Sequence, residues 1–372
     1  MKTPNITTVD IDQWLSLKNR PLLISGPCSA ENRYQVVETA MALSQTGVVS
    51  AFRAGIWKPR TRQESFEGHG EKALEWIKEA KEKSGLPVAV EVARPNHIEL
   101  CLRHEIDILW IGARSVANPF SIQELAEALK GTNIPVMVKN PVNPDIQLWI
   151  GALERLNNAG IEKLAAIHRG FNIWNKDIYR NTPLWDIPIE LKRLCPQLPI
   201  ICDPSHICGN RTMIENVAQH ALDLDMDGLM IESHINPDKA LSDKNQQITP
   251  KKLEKIISNL QVKYSGNFEK KAADTLNELR KQIDAIDYSL LETLAKRMNI
   301  VKDIGYLKKH NKITILQIER WNNIIQNREE IGRKMGLDKD FLNNLLNLVH
   351  KEAINVQKRI INDKHNQNNS KH

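Results

Sequence analysis

With 372 residues, 41% of them apolar and 26% charged, the chain has material for one large domain and a smaller one around a sizeable core. The opening MKTPNITTVDIDQW has no apolar stretch of a secretory signal, and no apolar run approaches membrane-spanning length. Five cysteines (Cys28, Cys101, Cys195, Cys202, Cys208) without disulfide-framework spacing point to reduced thiols in a cytoplasm. The net charge of +6 is concentrated after residue 262, where 21 Lys and Arg stand against 14 Asp and Glu. No RNP, zinc-finger or aromatic-basic pattern accompanies it, so small anionic ligands explain the charge better than nucleic acid.

After a polar lead-in over residues 1–20, short apolar runs alternate with amphipathic stretches. Strands are expected at 22–25, 49–53, 88–92, 108–112, 135–139, 164–168, 199–202 and 228–231. Helical spacing lies between them at 34–44, 71–83, 122–129 and 147–157, and again at 251–260. Eight strand–helix units in about 240 residues is the content of an α/β (β/α)8 TIM barrel. An open doubly wound sheet is the alternative, and no G-x-G-x-x-G turn supports one.

In such a barrel the reactive residues belong at the C-terminal strand ends. Here those ends read Cys28, Arg53 to Lys58 with Arg60, Glu91, Arg114, Lys139, His168 with Arg169, Asp203 with His206, and Glu232 with His234. Met230, Glu232 and His234 alternate at period two and are expected to face the barrel axis together. With Asp243 close behind, a histidine and two carboxylates suit a divalent metal; hydrogen-bonded polar residues capping the sheet are the alternative. A zinc cluster of Cys202, His206 and Cys208 is disfavoured, because Cys202 has the opposite strand parity to Asp203 and C-x2-C spacing is missing. The cations Arg53, Lys58, Arg60, Arg114, Lys139 and Arg169 number six. A phosphate monoester carries about −1.5 to −2, so this set matches two phosphates and a carboxylate.

In order, GPCS (26–29), RAGIWKPRT (53–61), IGAR (111–114), VKN (138–140), DPSH (203–206) and ESH with ALSD (232–243) resemble the motifs of type I 3-deoxy-D-arabino-heptulosonate 7-phosphate (DAHP) synthase. The resemblance covers residues 20–262. It implies condensation of phosphoenolpyruvate with D-erythrose 4-phosphate, the first step of the shikimate pathway. It implies a divalent metal ion, Mn²⁺ or similar, on Cys28, His206, Glu232 and Asp243. Phosphoenolpyruvate is then held by Arg53, Lys58, Arg114, Lys139 and Arg169, and the aldose phosphate meets Arg60 and Thr61. Glu91 orients the attacking water and Lys139 exchanges protons in this reading. A sibling synthase using arabinose 5-phosphate is a competing reading, and KPRT argues against it.

KYSGNFEKKAA (263–273) reads as a linker, after which strand patterning stops. Leu276, Leu279, Ile283, Ile286, Leu290, Leu294, Val301 and Ile304 mark a helix of about eight turns. A second helix is expected over 315–334 and a third from Asp338, giving a barrel at 1–262, the linker, an all-α three-helix domain at 274–361 and a disordered tail at 362–372. LNELRKQIDAID (276–287), AKR (295–297), IGYLK (304–308), QIERW (317–321) and HKEAINVQ (350–357) resemble the all-helical chorismate mutases. That resemblance puts Arg280, Arg297, Lys308, Arg320 and Gln357 in the substrate site, with Lys308 and Gln357 as donors to the ether oxygen of chorismate. Gln317, Trp321 and Ala353 stand where the family commonly has Asp, Glu and Ser. A ligand-sensing or dimerising module is the alternative for this region. Arg280 and Arg297 are 17 residues apart on one helix, about 25 Å, so one small substrate reaches both only if two chains share a site. A homodimer or higher homo-oligomer is therefore expected.

Overall fold

The computed structural model describes residues 4–15, 21–58, 66–174, 178–262 and 270–362. The chain divides into two compact units, residues 1–265 and 266–372. Among the described residues no helix is long and apolar enough to cross a membrane.

The first unit is a closed barrel of eight parallel strands: β1 (Leu22–Gly26), β2 (Ala51–Ala54), β3 (Val88–Val92), β4 (Ile108–Ile111), β5 (Val136–Lys139), β6 (Leu164–His168), β7 (Ile200–Cys202) and β8 (Gly228–Glu232). Each strand pairs with the next, and β8 closes on β1 with Gly26 opposite Glu232. Side-chain alternation splits the core in two. Leu22, Ile24, Ala51, Ala89, Ile108, Trp110, Met137, Ala165, Ile167, Ile201 and Met230 fill the barrel, over a floor of Ile11 and Leu15. Leu23, Phe52, Val88, Val90, Leu109, Val138, Ala166 and Leu229 face outward into the larger layer shared with the helices.

The inward parity has a consequence for chemistry. One step past Ala51, Ala89, Met137 and Met230 come Arg53, Glu91, Lys139 and Glu232, so the barrel's filling gives way to charge at its C-terminal rim. Arg169 and Asp203 follow Ile167 and Ile201 at the same spacing. Gly26 is needed at this rim because a Cβ there would sit 2.0 Å from Arg53 O.

Strand positions agree with the sequence reading to within a residue or two. β2 starts at Ala51, not residue 49, and β8 extends to Glu232. Helices Pro95–Arg103 and Asp186–Leu194 fill strand–helix units for which no bounds were read, and the short Ala113–Val116 and Pro204–Cys208 were not anticipated. Two of these begin on proline at the first helical position, where its missing N–H is no loss and its fixed φ starts a helix. Polar caps fix the helix starts: Asp145 accepts from Gln147 N and Leu148 N, and Thr249 accepts from Lys252 N. Each such cap contributes about 1 kcal/mol.

The second unit is three helices, Lys270–His310, Ile318–Lys334 and Lys339–Asn362. The first has 41 residues, a length of about 61 Å. Its later half packs on the third helix, burying Val301 and Lys308 against the side that carries Ala353 and Gln357. Its earlier half leaves Leu279, Ile283, Ile286 and Leu290 more than half exposed, an apolar stripe at helical spacing. The expected tail beyond residue 362 lies outside the described residues.

Candidate active sites

At the barrel rim the ligand atoms of Cys28, Glu232 and Asp243 lie within 4.8 Å of one another. Cys28 follows β1; its N–H donates to Gln247 Oε1 at 2.9 Å and its thiol to Asp243 Oδ2 at 3.3 Å. Glu232 ends β8 fully buried. Its Oε1 accepts from Arg53 Nη1 at 2.8 Å and its Oε2 from Gln246 Nε2 at 2.7 Å. Asp243 Oδ1 accepts from Arg180 Nη1 at 2.9 Å. His206 stands on the short helix that Asp203 caps, with Nδ1 2.8 Å from Asp203 Oδ2 and Nε2 3.8 Å from Glu232 Oε1.

The electrostatics suit a cation. Burial pushes the Cys28 thiol up to about 12, helped by Glu232 and Asp243 and opposed by Lys58 and Arg53. Burial also raises Glu232, but His206 and Arg53 outweigh it and hold the carboxyl below its ordinary range. Asp243 is likewise held low against its burial by Arg180 and His206. A thiol and two carboxylates in so small a volume repel one another once ionised. Arg53 and Arg180 offset part of that repulsion, and a soft-and-hard donor set of this kind fits a transition-type divalent ion. Among the described residues, Cys28, Glu232 and Asp243 form the cluster with this capacity, and His206 borders it.

Cations line the same rim. Arg53 is 1% exposed and its guanidinium lies 4.7 Å over the Trp110 ring. Lys139 Nζ donates to Asp203 Oδ2 at 2.9 Å. Burial pushes Asp203 up, yet His206 and Lys139 prevail and keep it well below the carboxylate range. Arg169 donates from Nη1 to Asn181 Oδ1 at 2.8 Å, while its backbone N–H donates to Asn140 Oδ1. Its guanidinium is drawn down to about 10 by burial, with Asp203 opposing and Arg180 and Arg114 adding to the effect. Lys58 folds its Nζ over Gly55, where a Cβ would be 2.2 Å away, and Glu91 places Oε1 over Gly112 in the same manner. Arg114 is exposed on the short helix after β4. Arg60 and Thr61 lie outside the described residues.

Two strand-end histidines depart from the sequence reading. His168 has the parity of Leu164 and Ala166, so it points into the helix layer, against Trp149, Phe171 and Trp185. Burial drives its pKa down to about 3, and it stays neutral. His234 does not join Glu232 at the axis. After Glu232 the chain pairs with residue 248, through His234 N to Ile248 O and Ile248 N to Glu232 O. The imidazole is turned to Asn236 N and Glu31 instead. Arg180 and Gln246, which hold Asp243 and Glu232, escaped sequence reasoning; both sit in loops without motif, with position after β6 and β8 as their only signal.

In the helical unit, Lys308 is buried with Nζ donating to Ile315 O at 2.6 Å, and Gln357 is buried with Nε2 donating to Ala353 O at 3.3 Å. Gly305 faces the third helix closely: a Cβ there would lie 3.0 Å from Ile360 Cδ1 and in ordinary contact with Gln357. Arg297 Nη1 is buried without a hydrogen-bond partner among the described residues. Arg280 is exposed on the earlier half of the same helix. Arg320 belongs to the second helix, and its side chain lies outside the described set.

The family model of the DAHP synthetase I family matches residues 10–265, and that of chorismate mutase type II matches residues 279–358. A phospho-2-dehydro-3-deoxyheptonate aldolase of Thermotoga maritima is 32% identical over 273 residues, spanning 73% of this chain and 76% of the relative. A 2-dehydro-3-deoxyphosphooctonate aldolase of Nitratidesulfovibrio vulgaris is 27% identical, spanning 61% and 86%. The crystal structure of a phospho-2-dehydro-3-deoxyheptonate aldolase (DAHP synthase) from Thermotoga maritima superposes with a TM-score of 0.57 at 31% identity, covering 64% of this chain and 66% of that one. A truncated form of the 3-deoxy-D-arabino-heptulosonate 7-phosphate synthase from Thermotoga maritima gives 0.55 at 28% identity, with 71% and 87% covered. Both units are therefore enzyme domains, one a synthase barrel and the other a mutase bundle: the chain belongs to the DAHP synthetase I family and carries a chorismate mutase type II domain behind its barrel.

Proposed function

We propose that the barrel condenses phosphoenolpyruvate with D-erythrose 4-phosphate to DAHP and phosphate, and that the helical domain rearranges chorismate to prephenate. The observation that carries the first reading is the rim itself: buried cations converge beside a thiol–carboxylate cluster fit for a divalent ion. Arg53, Lys58, Arg114, Lys139 and Arg169 bind the phosphate and carboxylate of phosphoenolpyruvate, with Arg forks matching their oxygens. Arg60 and Thr61 take the aldose phosphate. Cys28, His206, Glu232 and Asp243 hold Mn²⁺ or a similar ion, which when bound polarises the aldehyde.

C3 of phosphoenolpyruvate bonds to the aldehyde carbon, and the former carbonyl oxygen takes up a proton. Lys139, paired with Asp203 at 2.9 Å, exchanges that proton in this reading. Water adds at C2, steered by Glu91, and phosphate leaves from the resulting hemiketal. All five cysteines are free and buried, which fits a reducing cytoplasm.

The mutase reaction is pericyclic and needs charge stabilisation, not an acid or a nucleophile. Arg297, Lys308, Arg320 and Gln357 supply it from one chain. The exposed Arg280 and the apolar stripe around it support a homodimer in which a second copy brings Arg280 to the site.

The test is phosphate release from phosphoenolpyruvate with erythrose 4-phosphate and, separately, arabinose 5-phosphate, alongside prephenate formation from chorismate. Preference for arabinose 5-phosphate overturns the first assignment. Absence of prephenate overturns the second.

A further inference from the structure

His350 is a polar group of the helical domain that the roles above leave unused. It lies on the third C-terminal helix, three residues before Ala353 and seven before Gln357, which puts all three on one face. Its ring is stacked on Trp321 of the second helix, centroids 3.7 Å apart and planes within 13°. Its Nε2 is buried with no hydrogen-bond partner among the described residues, as are Arg297 Nη1 and Gln357 Oε1.

The first and third helices run parallel. Gly305 lies against Gln357 and Ile360, and Lys309 Nζ donates to Ile360 O. Seven residues back from Gln357 is about 10.5 Å and eight back from Gly305 about 12 Å, so His350 and Arg297 arrive at the same level. Burial and the neighbouring Arg297 charge hold the imidazole below its ordinary pKa, hence neutral at pH 7. Buried polar atoms are rarely left unpaired, and three on the facing sides of two helices mark the place of a polar ligand.

Chorismate presents two carboxylates, an ether oxygen and a ring hydroxyl. Arg297 and Lys308 are donors only, the Trp321 indole has no acceptor, and Gln357, whose Oε1 can accept, is already assigned to the ether oxygen. A neutral imidazole with its proton on Nδ1 offers Nε2 as one. Resting on the mutase reading above, we propose that His350 contacts the substrate directly: Nε2 accepts a hydrogen bond from the ring hydroxyl of chorismate, with Trp321 fixing the plane of the imidazole.

The experiment uses the full chain and measures kcat and KM for chorismate and for its analogue lacking the ring hydroxyl. His350→Phe keeps a ring on Trp321 and removes the acceptor; it should lower kcat/KM for chorismate about tenfold, the worth of one hydrogen bond, and leave the analogue unchanged. His350→Gln, whose Oε1 can accept, should stay within about threefold of wild type. Equal losses on both substrates, or none on chorismate, overturn the proposal. Should the phenylalanine variant fail to fold by circular dichroism, His350→Leu takes its place under the same criteria. A wild-type chain that forms no prephenate refutes the mutase reading itself. Calorimetric binding of prephenate, which retains the hydroxyl, then decides for His350: about tenfold weaker binding in His350→Phe sustains the contact, whereas unchanged affinity, or none in wild type, overturns it.

Discussion

Replacing Arg53 with alanine removes one half of an ion pair that is sealed from water. Arg53 is 1% exposed and Glu232 0%, with Nη1 and Oε1 2.8 Å apart. Without the guanidinium, Glu232 keeps the neutral Gln246 amide at 2.7 Å and His206 Nε2 at 3.8 Å, neither of which replaces a full charge at contact. Breaking a buried pair by deleting one partner costs about 3–5 kcal/mol, because the survivor is left desolvated and uncompensated. The exposed pair Arg103–Glu99, at 62% and 64% accessibility, is the internal control, and Arg103→Ala should cost about 0–1 kcal/mol. Seven of the eight tryptophans precede residue 263, so urea unfolding followed by tryptophan fluorescence reports the barrel. Mn²⁺ adds a second arm. An ion held by Glu232 neutralises the charge that Arg53 left behind, so Mn²⁺ should stabilise Arg53→Ala more than wild type. A cost below about 1 kcal/mol, or equal stabilisation of both proteins by Mn²⁺, refutes the reasoning.

The remaining tests follow from the same rim and from the bundle. Because burial pushes the Cys28 thiol up to about 12, binding a divalent ion must expel its proton, and Mn²⁺ affinity should rise about tenfold per pH unit from pH 6.5 to 8.5. Calorimetry in buffers of different ionisation enthalpy counts that proton, and a flat pH profile, or one unchanged in Cys28→Ser, rejects it. Arg180→Ala takes a cation away from Asp243, as Arg53→Ala does from Glu232, and should likewise raise Mn²⁺ affinity with the barrel still folded; unaltered affinity would make Arg180 a bystander. Arg280→Ala and Arg297→Ala should each cut mutase turnover by about 10²–10³, and mixed dimers of the two should regain part of it. No recovery in verified heterodimers would leave Arg280 outside the site.

The barrel was legible because its alternation has a short period and a fixed destination. Apolar runs bounded by breakers located all eight strands, and parity then assigns Arg53, Glu91, Lys139 and Glu232 to the interior. The same rule, applied strictly, would have sent His168 outward with Leu164 and Ala166. Parity fails only where the strand ends. His234 keeps the alternation of Met230 and Glu232 in sequence, but backbone pairing with Ile248 bends the chain off the barrel axis. Arg180 and Gln246 were invisible for a related reason: they come from irregular segments, and no periodicity says which way a loop side chain points.

The helical unit shows the complementary difficulty. Helical spacing alone identified the first helix but could not say how much of its apolar stripe the chain itself covers. The third helix buries Val301 and Lys308 and stops short of Leu279, Ile283 and Ile286, which stay exposed. A stripe this long, with an arginine among its leucines, is costly to leave in water, which supports the homodimer proposed above. The polar residues obey the same division. Those within reach of the third helix, Arg297 and Lys308, have buried nitrogens, whereas Arg280 is exposed among the described residues. Sequence spacing put Arg280 too far from Arg297 to serve one substrate; the exposure of the intervening apolar stripe supplies the reason to look for its partner in another chain.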